Sequence, residues 1–471
     1  MRHLAVRSFS AMALALSGCV GAAVAQPAPQ SPSPAASAAA PEIRGTWLTT
    51  TANDALSTPQ KTAETMRRLR EIGLNVVYVE AWKNGYTEFP SQTMERFVGV
   101  PMKINNTPAH LQRDLLKEAV IEAHRNGLLA IAWLEYGFMA SYKDTQNELR
   151  ARGVRDGFLT TNLAGEIVGK QNAFVWMNPL HPVPQQLVLD ITLEAVRNYD
   201  LDGVQLDDRI AMPVEMGYDP FTRELYAKEH GGAAPPDNHR DPAWTQWRAD
   251  KITEYARRYA AEIRRANPDL IISVSPAPFP WSLENYACDW PKWTQFDEAS
   301  RWDEYVPQNY RMNFERTKVS IQECIDAIPQ HKQLLAGGIR VVGDGPDMPP
   351  EDLLNSIRFT REAGIGGHVL WFSRGVLEVY PQLLQDFYAV EKAGPAPHPL
   401  RPGRRMPSIP AQRGNDGWTV TAPAGQDRFI AILKRNGAWD YGPTVEAGQT
   451  LKIPLADDLD AVEILVDRRR R

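Results

Sequence analysis

Eight short apolar runs, separated by segments with helical punctuation, constrain the fold of this 471-residue chain more than any other feature. Arg44–Thr50, Asn75–Trp82, Leu128–Tyr136, Gly203–Asp208, Leu270–Ala277, Tyr305–Tyr310, Gln333–Gly338 and Gly367–Ser373 read as buried strands. Between them, Ser57-Thr58-Pro59 supplies a cap and a first-turn proline, and Gly73 a stop. Pro108–Asn126, ending at Gly127, behaves the same way, as do Pro182–Tyr199, Pro242–Ala266 and Pro349–Ala363, closed by Gly364. Strand and helix alternating in this way is the pattern of a parallel α/β sheet. Eight such units over residues 42–393 predict an α/β fold, a (β/α)8 TIM barrel.

The flanks read differently. Arg2 and Arg7 precede the short apolar run Ala11–Leu16, which predicts an export signal over residues 1–25. Two processing sites compete. Leu16-Ser17-Gly18-Cys19 resembles a lipobox that leaves Cys19 lipidated and anchors the protein to a membrane; Ala23-Val24-Ala25 is an A-x-A site that releases a soluble protein. The location expected is therefore exported, either periplasmic or as an outer-membrane lipoprotein. Residues 26–41 are nearly all Ala, Pro, Ser and Gln, the composition of a tether. A proline-rich linker is expected over 394–412. Beyond it Trp418–Ala422, Arg428–Lys434, Thr450–Pro454 and Ala461–Val466 predict a small all-β, sandwich-like module over 413–471. The module reads as a structural appendage or as a carbohydrate-binding unit.

The charge balance, 52 basic against 57 acidic residues, leaves no footprint for nucleic acid. Besides Cys19 only Cys288 and Cys324 remain, too little to imply a disulfide framework. No C-x-x-C or H-E-x-x-H pattern is present, and His124, His181 and His368 lack ligand spacing, so neither a metal nor another cofactor is implied.

The chemistry concentrates at Leu201-Asp202-Gly203-Val204-Gln205-Leu206-Asp207-Asp208-Arg209. An apolar strand has no packing use for ionised groups at its tip, and barrel enzymes place their chemistry at that end. Alternation puts Gly203, Gln205 and Asp207 on the lumen face, so Asp207 is expected to emerge at the mouth as nucleophile or transition-state stabiliser. Asp208 is its supporting neighbour, and Arg209 lowers the pKa of either. A second carboxyl must protonate a leaving oxygen if a glycosidic bond is cut. Glu135, within Trp133-Leu134-Glu135-Tyr136-Gly137, is the preferred acid, and Glu80, within Tyr78-Val79-Glu80-Ala81-Trp82, is the alternative. Glu215 and Asp219 stay open in a long loop, while Asp303 and Glu304 lie at the wrong end of the barrel. Trp82, Asn84, Tyr136, Asn178, Gln308, Tyr310 and Trp371 stand at strand ends or in adjoining loops. Rings beside amides and carboxylates suit a polyhydroxylated ligand, and thirteen Trp and fifteen Tyr make such surfaces plentiful.

These motifs resemble the glycosyl hydrolase-like family 10, secreted bacterial barrels, and its cyanobacterial-type branch in particular. The resemblance rests on Glu42-Ile43-Arg44-Gly45-Thr46-Trp47-Leu48-Thr49, Asn84-Gly85-Tyr86-Thr87 and Trp133-Leu134-Glu135-Tyr136-Gly137-Phe138-Met139. Trp176-Met177-Asn178-Pro179, Tyr199 to Asp208 and Trp247-Arg248-Ala249-Asp250 add to it. It departs at Arg209, where the family usually carries an aromatic residue. The family includes hydrolases of peptidoglycan glycans stripped of their peptides. The resemblance therefore implies an exported glycoside hydrolase acting on an envelope polysaccharide, most plainly peptidoglycan strands. A non-catalytic glycan-binding lipoprotein on the same barrel is the alternative.

Overall fold

In the computed structural model, residues 40–104, 107, 112–143, 145–391, 396–401 and 406–468 are described. The expected export signal, Cys19 and most of the 26–41 tether lie outside them.

Eight parallel strands form one sheet: β1 (Ile43–Leu48), β2 (Val76–Glu80), β3 (Leu129–Leu134), β4 (Gly203–Asp207), β5 (Ile271–Ser275), β6 (Glu304–Tyr305), β7 (Ala336–Arg340) and β8 (Gly367–Trp371). Each pairs with its sequence neighbour from β1 to β6, and β8 pairs with both β1 and β7. Two isolated parallel bridges, Tyr305 with Leu335 and Gln308 with Gly338, close the ring between β6 and β7. The fold is thus the expected (β/α)8 barrel.

The surrounding helices are α1 (Pro59–Ile72), α2 (Leu115–Arg125), α3 (Pro182–Asn198), α4 (Pro242–Ala266), α5 (Phe314–Ala327), α6 (Pro350–Glu362) and α7 (Pro381–Glu391). The predicted caps do their work: the Thr58 hydroxyl accepts from Lys61 N, and Gly73 ends α1 in a left-handed conformation. No long helix joins β5 to β6; a short helix, Trp281–Tyr286, and a 3-10 turn, Trp290–Gln295, take its place.

Strand six differs most from expectation. Predicted over Tyr305–Tyr310, it pairs regularly only at Glu304 and Tyr305. Pro307 offers no N–H to a ladder, and the chain after it coils tightly, Tyr310 N bonding Gln308 O at 2.7 Å. Glu304, expected at the wrong end for chemistry, sits in the lumen, where Tyr78 and Ser273 hydroxyls donate to it at 2.8 and 2.7 Å. Above it Gln205 bonds the Trp47 indole at 2.8 Å and Ser273 at 2.9 Å. The lumen is therefore packed, not open.

After the barrel, two antiparallel sheets form a small sandwich. The first runs β9 (Ile409–Pro410), β15 (Leu459–Val466), β12 (Arg428–Arg435), β13 (Ala438–Glu446); the second runs β10 (Gln412–Arg413), β11 (Trp418–Thr421), β14 (Thr450–Ile453). β9 falls inside the stretch expected to be a linker, and β10 straddles its end at residue 412. β13 has no counterpart among the expected strands, because its Gly442-Pro443 reads as a breaker. It is an edge strand, where proline is tolerated. The described residues of the barrel and the sandwich form one compact unit. β12 explains why: Phe429 and Ala431 pack into the sandwich, while Ile430 and Ile432 join Trp439, Leu465 and Ile121 of α2. Cys288 and Cys324 are both buried free thiols.

Candidate active site

Elements converging on the C-terminal end of the barrel bring Glu80, Glu135, Asp207, Asp208, Lys83, Arg209 and Gln308 into one continuous network. Asp207 ends β4 and is 1% exposed. Its Oδ2 accepts from Arg209 Nη1 at 2.6 Å, and its Oδ1 accepts from the Asp208 N–H at 2.7 Å and from the Gln308 amide. Gln308 also donates to Ser275 O at 3.2 Å, which ties the seam of the barrel to the carboxylate.

Alternation along the strand assigned Asp207 to the mouth, with Asp208 turned to the helical side, and here the exposures are reversed. The strand stops at Asp207 and the chain turns, so the two-residue period ends there. Asp208 lines an open cleft of about 410 Å³ with Gln308, Trp281, Tyr286 and Arg311. Its Oδ1 lies 3.0 Å from Arg209 Nη1, so one guanidinium holds both aspartates. Arg209 also reaches the Glu135 carbonyl at 3.3 Å and lies 5.8 Å over the Phe174 ring.

Glu80 ends β2 fully buried. It accepts from the hydroxyls of Thr49 and Thr50, from Thr50 N at 3.2 Å, and from Lys83 Nζ at 2.7 Å. A tight hairpin pairing Trp82–Lys83 with Tyr86–Thr87 holds this lysine. Its Asn84-Gly85 corner has φ of 51° and 79°, the conformation that this dipeptide favours. The same ammonium lies 3.0 Å from Glu135 Oε2. Glu88, also fully buried, stands 2.9 Å from the Thr50 hydroxyl.

The electrostatics differ from one carboxyl to the next. For Glu80, burial works against ionisation, but Lys83 and the two threonine hydroxyls overcome it and hold the group below its ordinary range. Glu135 is pushed up, first by burial, which Lys83 opposes and the Glu80 charge reinforces. Asp207 is pushed well up by burial, against the pull of Arg209 and with the repulsion of Asp208 and Glu135. Burial and the Glu80 charge drive Glu88 well above its ordinary range, which favours its neutral form. Near Arg209, then, burial favours the protonated form of both Glu135 and Asp207.

Several residues expected to bind substrate stand elsewhere or do other work. Trp82 is fully buried and donates to Gly137 O at 3.1 Å. Asn178 is fully buried, and its amide donates to Asp219 at 3.0 Å and Thr222 at 2.8 Å, clasping a loop to the cap of the helix Pro220–Glu229. Neither reaches the cleft. The Tyr136 hydroxyl bonds the Asn84 side chain, bracing the hairpin against the loop after β3. Tyr310 stacks on Trp371 at 5.4 Å and 29°, and both contact Trp47. Sequence reasoning missed Lys83, Glu88, Thr49 and Thr50. A lysine three residues beyond a buried strand glutamate was the available signal. It also missed two aromatic shelves beside the β4 tip. One is Tyr142, 40% exposed and packed on Phe174 at 4.9 Å; the other is Trp281, 42% exposed and edge-on to Tyr286 at 5.0 Å.

Acidic groups at the C-terminal mouth of an eight-stranded barrel, flanked by exposed rings, define a protein of the glycoside hydrolase type. The chain belongs to the glycosyl hydrolase-like 10 family, whose model matches residues 42–340. Glycosyl hydrolase DigH of Escherichia coli is 24% identical over 290 residues, which is 57% of this chain and 63% of that protein. The match thus spans less than two thirds of the relative. Among solved structures, the PgaB (BpsB) glycoside hydrolase domain from Bordetella bronchiseptica superimposes with a TM-score of 0.53 at 15% identity, covering 74% of this chain and all of that one. The catalytic domain of a β-amylase from Paenibacillus polymyxa gives the same TM-score at 8% identity, covering 74% of this chain and 98% of the other. These two likenesses concern the fold.

Proposed function

We propose that this protein is an exported glycoside hydrolase that cleaves the glycan of the bacterial envelope, with peptide-free peptidoglycan strands as its substrate. The observation that carries the reading is the convergence of Glu135, Asp207 and Asp208 around Arg209 at the barrel mouth, beside an open cleft with an exposed tryptophan. The relationship to DigH, a glycosyl hydrolase, favours hydrolysis of a glycosidic bond, and the family resemblance read from the sequence favours peptidoglycan strands.

In this reading Glu135 is the acid. Burial raises its pKa and so favours its protonated form, and protonating the departing glycosidic oxygen is the step that needs a proton. Asp208, on the cleft, is the carboxylate that faces the sugar as positive charge develops at its anomeric carbon. Asp207 is a positioning residue: it fixes Arg209 and Gln308, and through Arg209 it aims Asp208. Export follows from the N-terminal sequence, with Cys19 as the lipidated residue; radiolabelled palmitate entering the wild type but not Cys19→Ala tests that part.

The main experiment measures reducing ends released from peptide-free and intact peptidoglycan strands. Wild type is expected to release them from the peptide-free strands. Glu135→Gln and Asp208→Asn should each lose roughly a hundredfold to ten-thousandfold in rate. Full activity in both variants would sink the assignment. Wild-type binding to the strands without release would favour a glycan-binding protein instead.

A further inference from the structure

The cleft beside Asp208 contains one group that the proposed chemistry does not use. Arg311 lines it, and among the described residues its guanidinium has no carboxylate partner; its one hydrogen bond is to the Tyr310 carbonyl at 3.1 Å. Asp208, the acid in the same cleft, is held by Arg209 instead. The same cleft is lined by the Trp281 indole, the largest exposed apolar side chain among the described residues.

This shelf is built, not incidental. Trp281 opens the short helix Trp281–Tyr286 and leans edge-on against Tyr286 at 83°. Tyr286 in turn accepts from the Asn172 amide at 2.9 Å, and its carbonyl accepts from Met212 N at 3.0 Å. Leaving an indole in water forgoes its burial, so a fixed, exposed ring facing a cleft suits the apolar face of a sugar. A guanidinium without a carboxylate partner in the same cleft suits a carboxylate, which it binds with two parallel hydrogen bonds.

The geometry points to a subsite for an acidic sugar next to the scissile bond, with its ring on Trp281 and its free carboxylate on Arg311. This rests on the glycan-cleaving reading of the site and gives that site a selectivity. A sugar whose carboxyl is capped, by a peptide or otherwise, presents a neutral group to Arg311 and loses the charge-assisted contact. Selection for uncapped chains thus has a residue to act through.

The test uses three oligosaccharide series of matched length: N-acetylglucosamine–N-acetylmuramic acid oligomers, the same oligomers with carboxyls converted to methylamides, and chitin oligomers without any carboxyl. Wild type should favour the first. Arg311→Gln should cut that preference roughly tenfold through KM, while Arg311→Lys retains part of it. Trp281→Ala should raise KM roughly threefold to tenfold on all three series, and Trp281→Phe should recover most of the loss. An Arg311→Gln variant that loses equally on capped and uncapped oligomers, or on neither, overturns the proposal. If no series is turned over by wild type, the hydrolase reading fails on its own. Calorimetric Kd values for the same oligomers then decide the subsite, by whether Arg311→Gln abolishes the preference for the free carboxylate.

Discussion

Lys83 is the residue on which the electrostatics of the site turn. It lies between Glu80 and Glu135, 2.7 and 3.0 Å from their oxygens, and holds one carboxylate ionised while restraining the rise of the other. Activity that needs protonated Glu135 is present below its pKa and falls as pH rises through it, so the alkaline limb lies above the ordinary glutamate range. Lys83→Met removes the opposing cation and should move that limb to higher pH, with Lys83→Arg moving it less. A kcat/KM profile reads this, and a shift towards acid would refute Glu135 as the proton donor. At this scale the sequence was legible in part. Glu80, Glu135 and the Asp207-Asp208-Arg209 run stood out because charges at the ends of apolar strands lack a packing role. Lys83 and Glu88 were not found, because their partner arrives across a hairpin and a neighbouring strand.

Among the elements, the seam between β6 and β7 couples fold to site. Gly338 of β7 bridges Gln308, and a Cβ there would stand 2.4 Å from Pro307 O and 3.3 Å from Gln308 Cα. Gly338→Ala must push this segment outward, which takes the Gln308 amide away from Asp207. Overpacking of this kind costs about 1–3 kcal/mol, so a lower Tm together with reduced kcat is expected. A stable variant with full activity would separate the seam from the chemistry. The eight strands were readable because each is a continuous apolar run bounded by turn residues. Strand six and β13 were misjudged in opposite directions: Pro307, read through as strand, leaves regular pairing only at Glu304 and Tyr305, whereas Gly442-Pro443, read as a break, is tolerated at a sheet edge.

For the whole molecule, the sandwich and the barrel share a core. The Trp439 indole donates to Glu122 of α2 at 2.8 Å, and Arg125 pairs with Glu463 at 2.7 Å. From the segment between the two, His398 reaches back to 3.6 Å from Glu304 at the base of the lumen. Trp439→Ala should therefore cost about 3 kcal/mol or more and lower Tm by several degrees, although Trp439 lies on the sandwich and far from the cleft in sequence. Unchanged Tm in a melting experiment would mean the module is an independent appendage, one of the two roles its composition allows.

Sequence alone determined the barrel, the end of it that carries the acids, and most of the acids themselves. Those follow from local rules: apolar periodicity, helix caps, and the cost of leaving a charge on a buried strand. Tertiary structure alone decided which aspartate faces the cleft, which lysine joins Glu80 to Glu135, and that Arg311 and Trp281 border the same space. These depend on distances between segments far apart in the chain. Where a strand ends and the chain turns, alternation stops predicting direction, and only the packing of neighbouring loops sets where a side chain points.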